Sequence, residues 1–294
     1  MRCAGWNCCD ERADDGREKR KKSCRLFWND HGLDPASPHA SLRLNEKQVT
    51  SGTADKIGGV STVEQTTAPR TIEVLDHGFV RLDDAMASDL SVVNAARVSF
   101  ARRKDEMDDA DGGLIRFLMR ERHGTPFEHN AFRFHVRAPI FVAREWFRHR
   151  VGSYNEFSMR YAKATDEFYV PALEDVRTQV GKPGSYSFEP VSDEVAQSTR
   201  DELAAVYAAA YAAYERLVEQ GVARELARAV MPVGAYTEFY WTVNARALMN
   251  FVSLRAAETA QREIRRYAEA VEELFAAEMP VTYEAFVAAG RVSP

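Results

Sequence analysis

Apolar and polar positions change period several times along the chain, and each change marks an element. Ile72, Val74 and Leu75, then Phe79, Val80 and Leu82 beyond Gly78, predict two short strands. Helical spacing takes over at about Asp89, where Leu90, Val93, Ala95 and Ala96 predict a helix that delivers Arg97 and Ser99 toward its end. A second helix is expected from Leu114 to about Arg122, with Gly124 placed to stop it. Strict alternation of Phe132, Phe134 and Val136 against Arg133, His135 and Arg137 predicts a strand with one buried face. Pro139 suits the first turn of a helix running through Ile140, Phe141, Val142, Trp146 and Phe147. Gly152, Ser153 and Asn155 then read as a turn. Beyond it Glu156, Ser158 and Arg160 alternate with Phe157, Met159 and Tyr161 as along a half-extended strand.

The remainder is more helical. Residues 170–190 are rich in turn formers, including Pro171, Gly181, Pro183 and Gly184, and are expected to form a loop. Ser192 is a candidate N-cap for a long helix, with Asp193 and Glu194 at the positive end of its dipole. Its stripe of Leu203, Val206, Tyr207, Ala210, Tyr214, Leu217 and Val218 ends at Gly221, and Tyr207, Tyr211 and Tyr214 are assigned to core or subunit interface. A short helix at 224–230 and a strand at 237–243 follow, then a helix capped by Asn244 that bears Arg246, Asn250 and Arg255. An amphipathic helix at about 258–278 and a short one near 283–289 complete the pattern. Residues 1–70 show no such period. A charge run from Asp10 to Arg25 and scattered Ser, Thr, Gly and Pro predict a disordered N-terminal extension before one domain at 71–294.

Composition narrows the function classes. With 45% hydrophobic and 28% charged residues, 294 residues suffice for a sizeable core. The net charge of −5 argues against a general nucleic-acid binder, which needs a basic face to neutralise phosphates. No run of about 18 apolar residues predicts a membrane span, and the N-terminus lacks the apolar centre of a secretory signal, so a cytoplasmic protein is expected. Cys3, Cys8, Cys9 and Cys24 are the only cysteines; a disulfide framework would need oxidising surroundings and a small secreted fold, neither of which is indicated, and adjacent Cys8 and Cys9 without paired C-x-x-C spacing make a zinc site a weak reading. No metal site is expected.

Candidate chemistry concentrates between Arg148 and Tyr161, where RHRVGSYNEFSMRY gathers three arginines, a histidine, a carboxylate and serines at a helix exit. Guanidinium forks at Arg148, Arg150 and Arg160 would suit a phosphorylated ligand, with Glu156 and Ser158 fixing a polar ring. The same residues could instead meet the negative end of a helix dipole on a solvated surface, and residue types alone leave both readings open. Farther on, an amide and two arginines, Asn250, Arg246 and Arg255, stand among Leu248, Phe251, Val252 and Leu254, a setting that calls for pairing or a ligand.

RHR, seven intervening residues and Ser, here Arg148, His149, Arg150 and Ser158, resembles the signature of the flavin-dependent thymidylate synthases, with Asn155, Glu156, Arg160 and Tyr161 also matching. The resemblance extends through DHGFVRL, AARVSF, TPFEH, FYWTVNARALMNF and SLRA, covering roughly the last three quarters of the chain.

The resemblance implies an α+β fold, a helix-rich mixed subunit with a small antiparallel sheet, assembled as a homotetramer whose active sites are shared between chains. It implies reductive methylation of dUMP to dTMP, with FAD as cofactor and NADPH and 5,10-methylenetetrahydrofolate as co-substrates. Matched residue by residue, dUMP falls to Glu145, Arg148, Glu156, Phe157, Ser158, Met159, Arg160, Arg228 and Arg255. FAD falls to Ser99, His129, Arg148, His149, Arg150, Glu156, Asn244, Arg246 and Asn250. Arg255 would be catalytic, and Arg228 would act on a neighbour's substrate. Glu145 departs from the Gln of many relatives and is expected either to weaken nucleotide binding or to pair with Arg144 or Arg148; Thr259 stands where some carry His. Another flavin- or folate-dependent methyltransferase, or an NADPH oxidase on the same scaffold, is the alternative.

Overall fold

A computed structural model describes residues 70–182 and 185–294; residues 1–69 of the expected N-terminal extension, with all four cysteines, lie outside the described residues, while Arg70 already belongs to the first strand. Five strands form an antiparallel sheet: β1 (Arg70–Val74), β2 (Gly78–Met86), β3 (Ala131–Pro139), β4 (Ser153–Glu156) and β7 (Tyr236–Asn244), in the order β1-β2-β3-β7-β4. The central pair β3 and β7 runs in unbroken register from Ala131 opposite Asn244 to Pro139 opposite Tyr236. Alternation decides which side is covered. Phe132, Phe134, Val136, Phe239, Trp241 and Val243 are buried on one face. Charged and polar side chains hold the other, where His135 receives Arg81 Nη2 at 2.9 Å, meets Glu238 at 3.0 Å and stacks on Tyr240.

Helices α1 (Asp89–Arg97), α2 (Asp109–Arg120), α3 (Ile140–Trp146), α6 (Ala245–Arg255), α7 (Arg262–Glu278) and α8 (Pro280–Ala288) contribute to the same core. Trp146 of α3 is central to it, lying 5.3 Å from the rings of Phe239 and Trp241 and 4.6 Å from Phe251. Fully burying each such aromatic contributes roughly 1.5–3 kcal/mol. A smaller cluster of Ala164, Tyr214 and Ala227 joins α4 (Asp193–Glu219) and α5 (Arg224–Ala227) to the chain that follows β4. Tyr211 and Tyr214 are used here, Tyr214 Oη accepting from Ala164 N, and Tyr207 stacks on Phe168 at 4.8 Å outside this cluster. The result is an α+β chain with eight helices among the described residues.

Five expectations need correction. Residues 170–190 are not all loop: β5 (Arg177–Lys182) and β6 (Ser185–Pro190) pair as an antiparallel hairpin. The turn expected at 152–155 is instead β4, because the open edge of β7 pairs with it and Phe157 N continues the ladder to Glu238 O at 2.8 Å. The strand expected at 156–161 breaks after Glu156, and Tyr161 N closes a turn on Ser158 O. α2 begins at Asp109, well before Leu114, despite Gly112 and Gly113, since Asp108 and Asp111 form a reciprocal capping box. It also ends without Gly124: Arg122 takes the left-handed conformation (φ 58°), while Gly124 has an ordinary helical φ of −72°.

Candidate active site

α3 ends at Trp146, and the RHR triplet leaves it in a turn in which His149 N bonds Trp146 O at 3.0 Å. Tyr154 on β4 fixes that turn by donating to His149 O at 2.7 Å. Opposite stands α6, whose first turn is capped by Asn244 Oδ1 accepting from Ala247 N at 2.8 Å. Helical spacing puts Arg246, Asn250 and Leu254 on the exposed side of α6 while Leu248, Phe251 and Val252 are buried. Between the two elements lies a cavity of about 750 Å³, lined by Arg148, His149 and Arg150 from one side and Asn244, Arg246, Asn250, Leu254 and Arg255 from the other.

Arg255 is held through all three of its nitrogens. Nε donates to His149 Nε2 at 3.0 Å, Nη1 to Glu145 Oε2 at 3.2 Å and Nη2 to the Glu145 carbonyl at 3.3 Å. Glu145 therefore pairs with Arg255, and not with Arg144 or Arg148. Because His149 Nε2 accepts, the imidazole is neutral with its proton on Nδ1. Burial and then the charges of Arg255 and Arg148 push its pKa down to about 4. Burial also raises the Glu145 carboxyl above its ordinary value, against the pull of Arg255.

Arg246 is cradled differently. Its Nη1 donates to Glu128 at 2.5 Å and its Nε to the main-chain oxygen of Pro294 at 2.7 Å, while Ser293 Oγ donates to its carbonyl. A methyl group on Gly124 would stand 2.5 Å from Arg246 Nε, so this glycine serves close approach and not helix termination. Arg148, Arg150 and Asn250 make no side-chain hydrogen bond or ion pair among the described residues. Four guanidiniums thus face the cavity with Glu128 as the one acidic side chain lining it, an arrangement that favours an anionic, acceptor-rich ligand.

The other expected residues sit apart within one chain. Glu156 accepts from Thr237 Oγ1 at 2.8 Å on the β4 edge. Phe157, Ser158, Met159 and Arg160 follow in the next turn, where Arg160 meets Glu225 at 3.3 Å and Arg228 Nε donates to the Glu225 carbonyl. His129 lines a separate cavity of about 510 Å³ next to α1, and Ser99 is exposed in the turn beyond that helix. Sequence reasoning missed Glu128, Val151, Ala247, Leu254, Ser293 and Pro294 as lining residues. The helical face shared with Arg246 and Asn250 could have indicated Leu254. Nothing local marks Ser293 or Pro294, which reach the cavity only because the chain returns along α6 after α8.

Comparison with known proteins decides the family. Residues 81–281 match the family model described as thymidylate synthase complementing protein. The chain belongs to the flavin-dependent thymidylate synthase family. A flavin-dependent thymidylate synthase of Thermotoga neapolitana is 50% identical over 218 residues, covering 74% of this chain and 94% of that protein. The UMP/dUMP methylase PolB from Streptomyces cacaoi, solved with 5-Br dUMP, is 48% identical with a TM-score of 0.70, over 76% of this chain and all of PolB. A second PolB structure, with 5-Br UMP, is 46% identical with the same TM-score, over 76% of this chain and 99% of that one.

The chain is accordingly an enzyme, a methyltransferase that depends on a flavin. The donor set fits such a group: Arg148, Arg150 and Asn250, unpaired among the described residues, suit the anionic tail of a flavin nucleotide, and Val151, Ala247 and Leu254 offer apolar wall. Asn244 has given its oxygen to the helix cap, which leaves its Nδ2 donors for a ligand.

Proposed function

We propose that this chain methylates dUMP at C5 to give dTMP, with 5,10-methylenetetrahydrofolate as one-carbon donor, FAD as cofactor and NADPH as reductant. The observation that carries this reading is the cationic cavity, in which Arg148, Arg150 and Asn250, unpartnered among the described residues, surround an Arg255 already held in place. C5 of uracil is a poor nucleophile until electron density is pushed into the ring. A cysteine thiolate adding to C6 is one solution, but no cysteine occurs after Cys24. FAD, when bound, supplies the hydride and relays the one-carbon unit. What is left to the protein is binding, orientation and electrostatics.

Arg255 supplies the electrostatics by stabilising the negative charge that spreads over N3 and O4 as the ring is ionised. Neutral His149 leaves that cation undiminished and unrepelled. Arg148, Glu156, Ser158, Arg160 and Arg228 bind the nucleotide, with main-chain groups of Phe157 and Met159. Ser99, His129, Arg148, His149, Arg150, Glu156, Asn244, Arg246 and Asn250 bind FAD. Because Ser99, His129 and Arg228 stand away from the main cavity, a homotetramer with sites completed by neighbouring chains accounts for their roles.

Anaerobic incubation of FAD-reconstituted protein with NADPH, methylenetetrahydrofolate and labelled dUMP should yield dTMP, detected by mass. Absence of both dTMP and dUMP-dependent NADPH oxidation would defeat the proposal. UMP is the second substrate to offer, since PolB is described as a UMP/dUMP methylase; 5-methyl-UMP in that arm would assign the chain the broader specificity.

A further inference from the structure

We infer that Glu145 is a positioning residue that acts on Arg255 and does not itself bind the nucleotide. The inference rests on Arg255 being the side chain that activates the ring. An arginine has five N–H donors. Here three are engaged, one on each nitrogen, and Glu145 receives two of the three bonds through its carboxylate and its own carbonyl. One donor on each terminal nitrogen is left over. The ionised edge of a uracil ring presents two neighbouring acceptors, N3 and O4, which two such donors can satisfy.

Without the carboxylate, the long Arg255 side chain keeps only the His149 contact and the Glu145 carbonyl. Its guanidinium then regains rotamers that turn those donors away from the ring, and that loss falls on the rate more than on binding. Glu145 is a poor nucleotide ligand in its own right. It carries no donor when ionised, is half-buried against Arg255 and does not line the cavity in which Arg255 presents its free donors. An acceptor is what the position requires, so glutamine should serve where alanine fails.

Five proteins test this: the parent, Glu145→Gln, Glu145→Ala, Arg255→Ala and Glu145→Ala/Arg255→Ala, each checked for folding by thermal melting. Flavin fluorescence gives FAD affinity, equilibrium dialysis gives dUMP affinity, and quenched single turnovers at saturation give the rate of dTMP formation. Glu145→Ala should slow the single turnover about tenfold, with both affinities within about twofold of the parent. Glu145→Gln should stay within about threefold of the parental rate. Adding Glu145→Ala to Arg255→Ala should cost nothing further, since its target is gone. A parental rate in Glu145→Ala, a Gln variant as slow as the Ala variant, or a further loss in the double variant would each overturn the inference. Weakened dUMP binding with an unchanged saturated rate would return Glu145 to the nucleotide site. A parent that forms no dTMP would defeat the proposed function itself, an outcome distinct from all of these.

Discussion

At Arg255 the neutrality of one imidazole decides whether a cation can be held at all. A protonated His149 has no lone pair for Arg255 Nε, and it would place a second positive charge 3.0 Å away. The folded chain therefore resists protonation of His149 down to about pH 4, whereas the unfolded chain takes up the proton near 6.5. Between those values the unfolded state binds more protons. Stability from this site is thus fully present above about pH 6.5 and is lost as pH falls through the window toward 4. Melting temperature of the parent should drop more between pH 7 and pH 4.5 than that of His149→Gln, which has nothing to titrate there; parallel curves would refute the assignment. Other residues show why legibility varied. Asn244 was readable because a cap is a local event. The Gly124 role was not, since its reason is a side chain 122 positions away, and a glycine beside a helix end resembles a stop signal whatever its true use.

Among elements, α2 shows how a buried carboxylate can outweigh unfavourable local composition. Asp111 is fully buried and accepts from Arg97 Nη2 and Lys104 Nζ, both at 2.6 Å, and from Asp108 N at 3.0 Å. Although burial pushes its carboxyl upward, these donors hold it well below the usual carboxylate range. The same group joins α1, the following loop and the first turn of α2, and it starts a helix through Gly112 and Gly113. Asp111→Ala removes the cap partner and strands two cations, so urea unfolding should show a loss of about 3 kcal/mol. A loss below about 1 kcal/mol would mean that Arg97 and Lys104 find water at little cost. Elements with their own period, β3, β7 and α7, were legible within a few residues because the pattern that predicts them is the pattern that buries them. β4 and the β5–β6 hairpin were not, because pairing with a partner strand, and not alternation of their own side chains, holds them extended.

For the molecule as a whole, α4 is the element a single chain does not use up. Its 27 residues extend about 40 Å. Only Ala196 and Tyr214 are buried along it, while Val195 is 51% and Val206 49% exposed. Leu226, just beyond, is 66% exposed, and apolar side chains left open along one long element mark a surface for association. The split of the proposed site residues points the same way: Arg160, Arg228 and Glu225 form one basic and acidic group, and the RHR triplet with α6 forms another. Light scattering coupled to size exclusion should give the mass of four chains, and a monomeric mass at micromolar concentration would refute the assembly. Complementation then tests whether sites are shared. Arg228→Ala and Arg255→Ala should each be nearly inactive alone. After subunit exchange, hybrid tetramers that pair the intact Arg255 of one chain with the intact Arg228 of another should recover part of the parental rate. Exchange verified by differently tagged chains, with no recovery of dTMP formation, would mean that every chain completes its own site and that Arg228 acts within the chain that carries it.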